Sequence, residues 1–431
     1  MSRADTALHA AVASASEELA RRRARFEVFA RLGESTHLVH TSDGSWLERN
    51  TREVGVACRV AQGGRTGFAA AAGAGARAGR EAAQAALAGL LPGPDPLPPR
   101  RALGTVPITP PARPAPRRQD AFARELAAAL DGSGLKLVQL RTLGGSSTAL
   151  LATGEGYAAR TEAAGCVAEL LLAPPTGPWR HFHFAAREFA EMDPLALADH
   201  AREAALLAVR GTIPPRALTD VLLAPAVAAP LVAALAEHVA AGPGGPTTAA
   251  PPRVSRAWRL VDERAGPNSL LPLPCDGEGL PSRRIELLGA GRIGERLATW
   301  AEAERDGVAP GGAVRPSYRH PPAAGPANLV VVAAAPKSPR QLLAELGDGY
   351  YLALPAGAVR LEAVSGRFAL RAAAVAIRRG RPAAAHPLVE LRGSFRRLLA
   401  GLSGLGDDPA DFSLSCAVTT PSLLFRRLEI A

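Results

Sequence analysis

The chain has 431 residues, too many for one ordinary core, so two or three domains are expected. Hydrophobic residues make up 47% and aromatics only 4%, so a sizeable interior must pack by close approach of small side chains. Lys136 and Lys337 are the only lysines, and the formal charge of +10 is Arg scattered through every segment, which sets nucleic acid aside as the expected partner.

In chain order, Ala4 to Arg25 reads as an amphipathic helix with Leu8, Val12 and Leu19 near one face. Its Arg run follows the apolar part, suiting the helix dipole and reversing the order of a signal peptide. FEVFARLGESTHLVHTSDG is β-rich and ends in the Asp43-Gly44 turn signal. Two further strands, a turn at Gly63-Gly64 and another strand follow, then an Ala-rich helix from Gly79 to Leu91. The Pro-rich connector from Pro92 to Arg118 excludes regular helix and interior strand, so it is an extended linker or surface strap.

After the connector the order repeats. Gln119 to Asp131 is a helix with Phe122, Leu126 and Leu130 on one face; a long β-rich stretch and further strands follow, then a helix from Asp193 to Val209. Cys58 and Cys166 fall in matching strands, and the pattern predicts an internal duplication. Residues 1–215 are therefore expected to be an N-terminal α/β domain of two similar halves joined by the connector 92–118.

Residues 216–431 read as a second domain, rich in short strands with Gly turns, that curls into a sheet or barrel. Its helices are Pro225 to Ala241, despite Pro230, then Gly294–Asp306 and Ser338–Leu346, the last opened by a Ser338 cap and Pro339. The predicted fold class is α+β, a duplicated α/β domain with antiparallel strands followed by the strand-rich domain. The most apolar window, Val221 to Ala241, holds two prolines that would break a spanning helix, so no membrane contact is expected. Four dispersed cysteines with no CxxC fit reduced thiols in the cytoplasm.

Three candidate sites follow from spacing. His181 and His183 alternate on a strand and share a face, but no third ligand stands at readable spacing, so a His pair on a strand rim is the preferred reading. Asp276 and Glu278 could supply an acid/base pair, against a turn built by Asp-Gly and Glu-Gly. Gly289-Ala-Gly291-Arg-Ile-Gly294 matches GxGxxG, yet it fits a hairpin turn better than a dinucleotide site.

CDGEGLPSRRIELLGAGRIGERLATWAEAERDG resembles the "acidic–x–Glu–Gly–x–Pro" turn of the TldD/TldE metallopeptidase family, with Asp276, Glu278, Gly279 and Pro281 in those places. RPSYRHPPAAGPAN, ending at Asn328, is similar to that family's arginine–proline loop. The run from Gly349 and Tyr350 through Ser365, Gly366 and Phe368 to Ile377 and Gly380 matches a third segment, and HPLVELRGSFRRLLAGLSGLGDD and TTPSLLFRRLEI match the closing ones. GVACRVAQGGRTGFAAAAG is similar to the family's "Gly–x–x–x–Arg–Val … Gly–x–x–Gly–Phe" strand and turn.

The resemblance implies a peptidase whose catalytic subunits carry His-Glu-x-x-x-His on a helix, two imidazoles for the metal and a carboxylate for the water. In APAVAAPLVAALAEHVAAG those places fall on Ala233, Ala234 and His238, two methyl groups and one imidazole. The expectation is a TldE/PmbA-type, non-catalytic subunit with no cofactor of its own, the metal belonging to a TldD-like partner. Unfolded or leader peptides are the implied substrate, and Asp276, Glu278, Gly279, Asn328, Ser365, Gly366 and Phe368 the candidate cleft residues. A homodimer stays open, as does the alternative of a stand-alone peptide- or DNA-associated regulatory protein of the gyrase-modulator type.

Overall fold

The computed structural model describes residues 3–132, 134–207, 211, 214, 216–240, 252–267, 269–362 and 365–431. Helix α1 (Arg3–Arg21) leads into a long hairpin of β1 (Arg25–Thr41) and β2 (Trp46–Gln62), then β3 (Arg65–Ala72), α2 (Ala76–Ala88) and a short β4 (Leu91–Pro92). The same order returns in α3 (Pro116–Leu130), β5 (Lys136–Thr153), β6 (Ala158–Ala173), β7 (Arg180–Ala186) and α4 (Pro194–Leu206). The turns are where the sequence puts them. Asp43 accepts from Thr41 Oγ1 and Ser45 N at 2.6 and 3.0 Å, and Gly63 and Gly64 both take the positive φ of a tight hairpin.

These strands form one antiparallel sheet in the order β4-β3-β2-β1-β5-β6-β7. A shift of about 112 residues carries β1 onto β5, and the Glu34–Ser146 pair it relates sits opposite across their ladder, on a local two-fold axis. Both helix pairs cover one face. Leu8, Ala11, Ala15 and Leu19 of α1 pack with Phe26, Val28, Ala30 and Leu32, while Phe122, Leu126 and Leu130 of α3 pack with Leu140, Ala168 and Leu170. Helix α1 lies directly on α2, since a Cβ on Gly79 would stand 2.1 Å from the Ala11 carbonyl oxygen. Glu27, Phe29, Arg31 and Arg59 alternate onto the other face, which looks onto the C-terminal half.

There, β8 (Ala217–Leu223) feeds α5 (Pro225–Ala240). β8 joins strands Leu423–Ile430, Arg381–Ser394, Arg367–Arg378 and Gly349–Pro355, and the last pairs back onto β8, closing a ring. A second sheet runs through Arg284–Gly289, Leu260–Glu263, Asn328–Val331, Ala417–Thr420 and Ala410–Ser413. Helix α5 is apolar on nearly every side because it fills the space between ring and second sheet; Val227, Leu231, Val232 and Leu235 share one core with Leu260, Ile285 and Phe425.

Some boundaries differ from the sequence reading. The helix expected from Gly294 starts at Trp300, because Thr299 and Glu302 form a capping box. Before it, Gly294 N and Glu295 N bond back to the Leu287 and Glu286 carbonyls. Helix α1 ends at Arg21, ahead of Arg23 at φ 53, rather than at Arg25. The far end of the helix predicted to Val209 lies outside the described residues, as does the end of the one predicted to Ala241. The connector is a strap: Gly104 N bonds Gly279 O, Val106 N bonds Pro274 O, and Leu97 and Leu103 are buried. Gly289–Gly294 is a hairpin turn with Ala290 and Gly291 at positive φ. No helix among the described residues is long and apolar enough to cross a membrane.

Candidate functional site

Helix α5 turns Ala233 and Ala234 toward a cavity of about 870 Å3 walled by β7, α4, Gly349–Pro355 and Ala410–Ser413. His238 is not among the residues lining it. Its ring lies 4.8 Å from that of Phe395, and burial pulls it below the ordinary imidazole value. Methyl groups offer no lone pair, so the three positions do not fit a metal ion. Among the described residues, no group of three or more His, Cys, Asp or Glu is placed to hold one.

His181 and His183 line the same cavity from the edge strand β7. His183 Nε2 accepts from Ser413 N at 3.2 Å, and its Nδ1 stands 3.5 Å from Glu169 Oε1. Both ring nitrogens are thus committed, which fixes the tautomer and makes the side chain a brace between β7 and the Ala410–Ser413 strand. Burial lowers His181 below the ordinary histidine value.

The seven candidate cleft residues fall into two groups. Asp276, Glu278, Gly279 and Asn328 lie where the C-terminal half meets the open face of the N-terminal sheet. Asp276 Oδ1 accepts from Glu278 N and Leu280 N at 2.9 and 3.0 Å, and Gly279 turns the chain at φ 86. Asn328 imitates a strand, accepting from Leu271 N at 2.9 Å and donating to Leu271 O at 2.7 Å. Ser365, Gly366 and Phe368 gather elsewhere, beside His238. Ser365 Oγ donates to Glu362 Oε2, Gly366 sits at φ 63 and Phe368 stacks on Phe395 in the core.

Glu278 belongs to a buried quartet that sequence reasoning did not assemble. Arg59 donates to Glu27 Oε2 at 2.5 Å and to Glu278 Oε1 at 2.9 Å, Arg315 donates to Glu27 Oε1, and Glu278 Oε2 accepts from Trp300 N at 2.6 Å. None of the four side chains is more than 6% exposed. Two carboxylates and two guanidiniums balance, and Arg315 also lies 4.3 Å over the Phe29 ring. Burial would raise Glu27, but Arg315 and Arg59 more than offset it and hold it below the ordinary glutamate value. Burial pushes Glu278 and Asp276 up. Arg59 and Arg315 stood inside motif segments 256 residues apart in sequence; Glu27, in a plain strand, carried no signal of its own.

Beside the quartet runs a cleft, two adjoining cavities of about 360 and 410 Å3 that share Arg31, Ser147, Ala163, Leu271 and Ser413. Asp276, Asn328, Cys275 and Cys416 line its second part. Burial pushes both thiols up to about 12, so neither is a thiolate at neutral pH.

Residues 253–431 match the family model of the PmbA/TldA metallopeptidase C-terminal domain. The C-terminal part of the chain is thus a domain of the PmbA/TldA metallopeptidase type. Solved structures with the same fold include TldE from Thermococcus kodakarensis, at 17% identity and a TM-score of 0.82 over 99% of this chain and all of that one. A putative modulator of a DNA gyrase from Thermotoga maritima gives 16% and 0.80 over 97% and 98%. A putative modulator of DNA gyrase from Bacteroides thetaiotaomicron gives 14% and 0.76 over 99% and 98%. No curated protein matches. At such identities the likenesses establish the TldD/TldE/PmbA fold and nothing finer.

Proposed function

We propose that this chain is a non-catalytic, TldE-like subunit that pairs with a TldD-like catalytic chain in a cytoplasmic metallopeptidase acting on unfolded or leader peptides. The observation that carries the reading is α5, which offers Ala233 and Ala234 where a catalytic relative needs an imidazole and a carboxylate, while its one imidazole, His238, packs against Phe395. A metal and its water would come from the partner. This chain would supply walls: the cleft between its open sheet face and the Asp276 to Asn328 region, rigidified by the buried quartet, admits an extended segment. Four free cysteines suit a reducing compartment.

The test is reconstitution. The purified chain alone should not cleave an unfolded casein or leader-like peptide, and adding a TldD-like chain should give a stable complex with chelator-sensitive activity. Cleavage by the isolated chain, abolished by mutation of its own residues, contradicts the assignment. Equal activity of the TldD-like chain with and without this one removes its proposed role.

A further inference from the structure

We propose that the cavity beneath α5 is a binding site for an extended, basic peptide segment, one whose Arg or Lys side chains alternate with apolar ones. The inference rests on the peptide-handling reading above and assigns that function a ligand chemistry. The 870 Å3 cavity falls in the size range of ligand sites. Its floor is apolar, with Pro230, Ala233, Ala234, Phe184 and Leu354, and the two alanine methyls of α5 leave room that imidazole and carboxylate groups would fill.

Charge sets the occupant. Glu169, Glu203, Glu237, Asp408 and Asp411 all line the cavity, whereas none of its described lining residues is Lys or Arg in a chain that carries fifty. Of the five, Glu169 has an outside cation, Arg141 at 3.4 Å, and Arg187 stands near Asp411; Asp408 takes Ser422, Asp411 takes Thr419 and Glu237 takes Ser415 as hydrogen-bond donors. Burial lowers His181 and His200, so these rings do not neutralise the carboxylates at neutral pH. A low-dielectric wall with one sign of charge focuses its field on the space it encloses. The cavity also borders β7, which ends its sheet; beyond the ladder with β6, residues 181–186 make no backbone–backbone bond among the described residues. An edge with unpaired backbone groups selects a chain over a small amine.

The experiment uses the full isolated chain and three fluorescein-labelled hexapeptides, alternating Leu with Arg, Ser or Glu, read by anisotropy. The proposal predicts the order Arg, Ser, Glu, with the Arg probe at least about tenfold tighter than the Glu probe. Non-specific attraction would give the reverse order, since the chain as a whole is at +10. Glu237→Gln with Asp411→Asn should cut the Arg advantage by about three- to tenfold, and Ala234→Trp should weaken the Arg and Ser probes together. Glu203→Gln, at an exposed rim position, is a milder variant that preserves folding and should lower the advantage in the same direction. A Glu probe that binds as well as the Arg probe overturns the proposal, and so does an Arg advantage that no variant changes. No partner chain is present, so failure here is separate from failure of the reconstitution.

Discussion

The two repeats of the N-terminal sheet share a topology and have divided the work of holding the C-terminal half. In the first repeat, the cross-strand pair Glu27–Arg59 reaches Glu278 and Arg315; at the equivalent pair of the second repeat stand Gln139 and Leu171. In the second repeat, Glu169 faces His183 across strands and His183 reaches Ser413; the first repeat has Ala57 and Ala70 there. The outer strand of the first repeat is covered by β4, whereas β7 is left as an edge beside the cavity. One copy has become a buried ionic joint and the other a cavity wall, although the same strand order builds both. Duplication supplies the scaffold; single cross-strand pairs decide what each copy does.

The largest loss should follow when the first repeat is given the second repeat's residue. Arg59→Leu leaves Glu27 and Glu278 without their shared cation and should cost about 3–5 kcal/mol in urea unfolding. The paired change Glu27→Gln with Arg59→Leu should cost less than the two singles combined, because it removes a charge together with its partner. A smaller loss is expected from the helices. Gly79→Val would drive a side chain into the Ala11 carbonyl, costing about 1–3 kcal/mol. At Phe122 of α3, in the core of the second repeat, truncation to Leu opens space instead.

Acid sharpens the same contrast. Glu27 is held below its ordinary value, so its contribution is full above the unfolded-state value and is lost as pH falls through the folded one. Glu278 is raised by burial, so its contribution is present below the unfolded-state value and lost as pH rises through the folded one. Glu27→Gln should therefore flatten the acid limb of urea midpoint against pH, and Glu278→Gln should not. The smallest effect belongs to the second repeat's brace. His183→Ala should cost about 1 kcal/mol and speed amide exchange at Ser413, with no change at Trp300.

The duplicated helices and hairpins were legible in the sequence because their signals are local: Asp43-Gly44, Gly63-Gly64 and the apolar faces of α1 and α3. The ring was legible only as strand-rich composition, since its closure pairs β8 with Gly349–Pro355 and Leu423–Ile430, over a hundred residues away. The helix starts six residues after the expected Gly294 because the glycine turn precedes a capping box, Thr299 with Glu302, that is itself readable in the sequence. The motif segments around Arg59, Glu278 and Arg315 stood out one by one. That Arg59 and Arg315 meet on Glu27 with Glu278 joined through Arg59, and that Ser365, Gly366 and Phe368 join His238 instead, is a fact of the fold.

The deciding property of the chain is what α5 can hold. Equilibrium dialysis of the full isolated chain against zinc, and separately against iron, followed by elemental analysis, tests it most directly. Neither ion should stay with the isolated chain, and a one-to-one ion should be retained once a TldD-like chain is bound. A single zinc or iron kept tightly by the isolated chain, and lost on mutation of its own side chains, would contradict it.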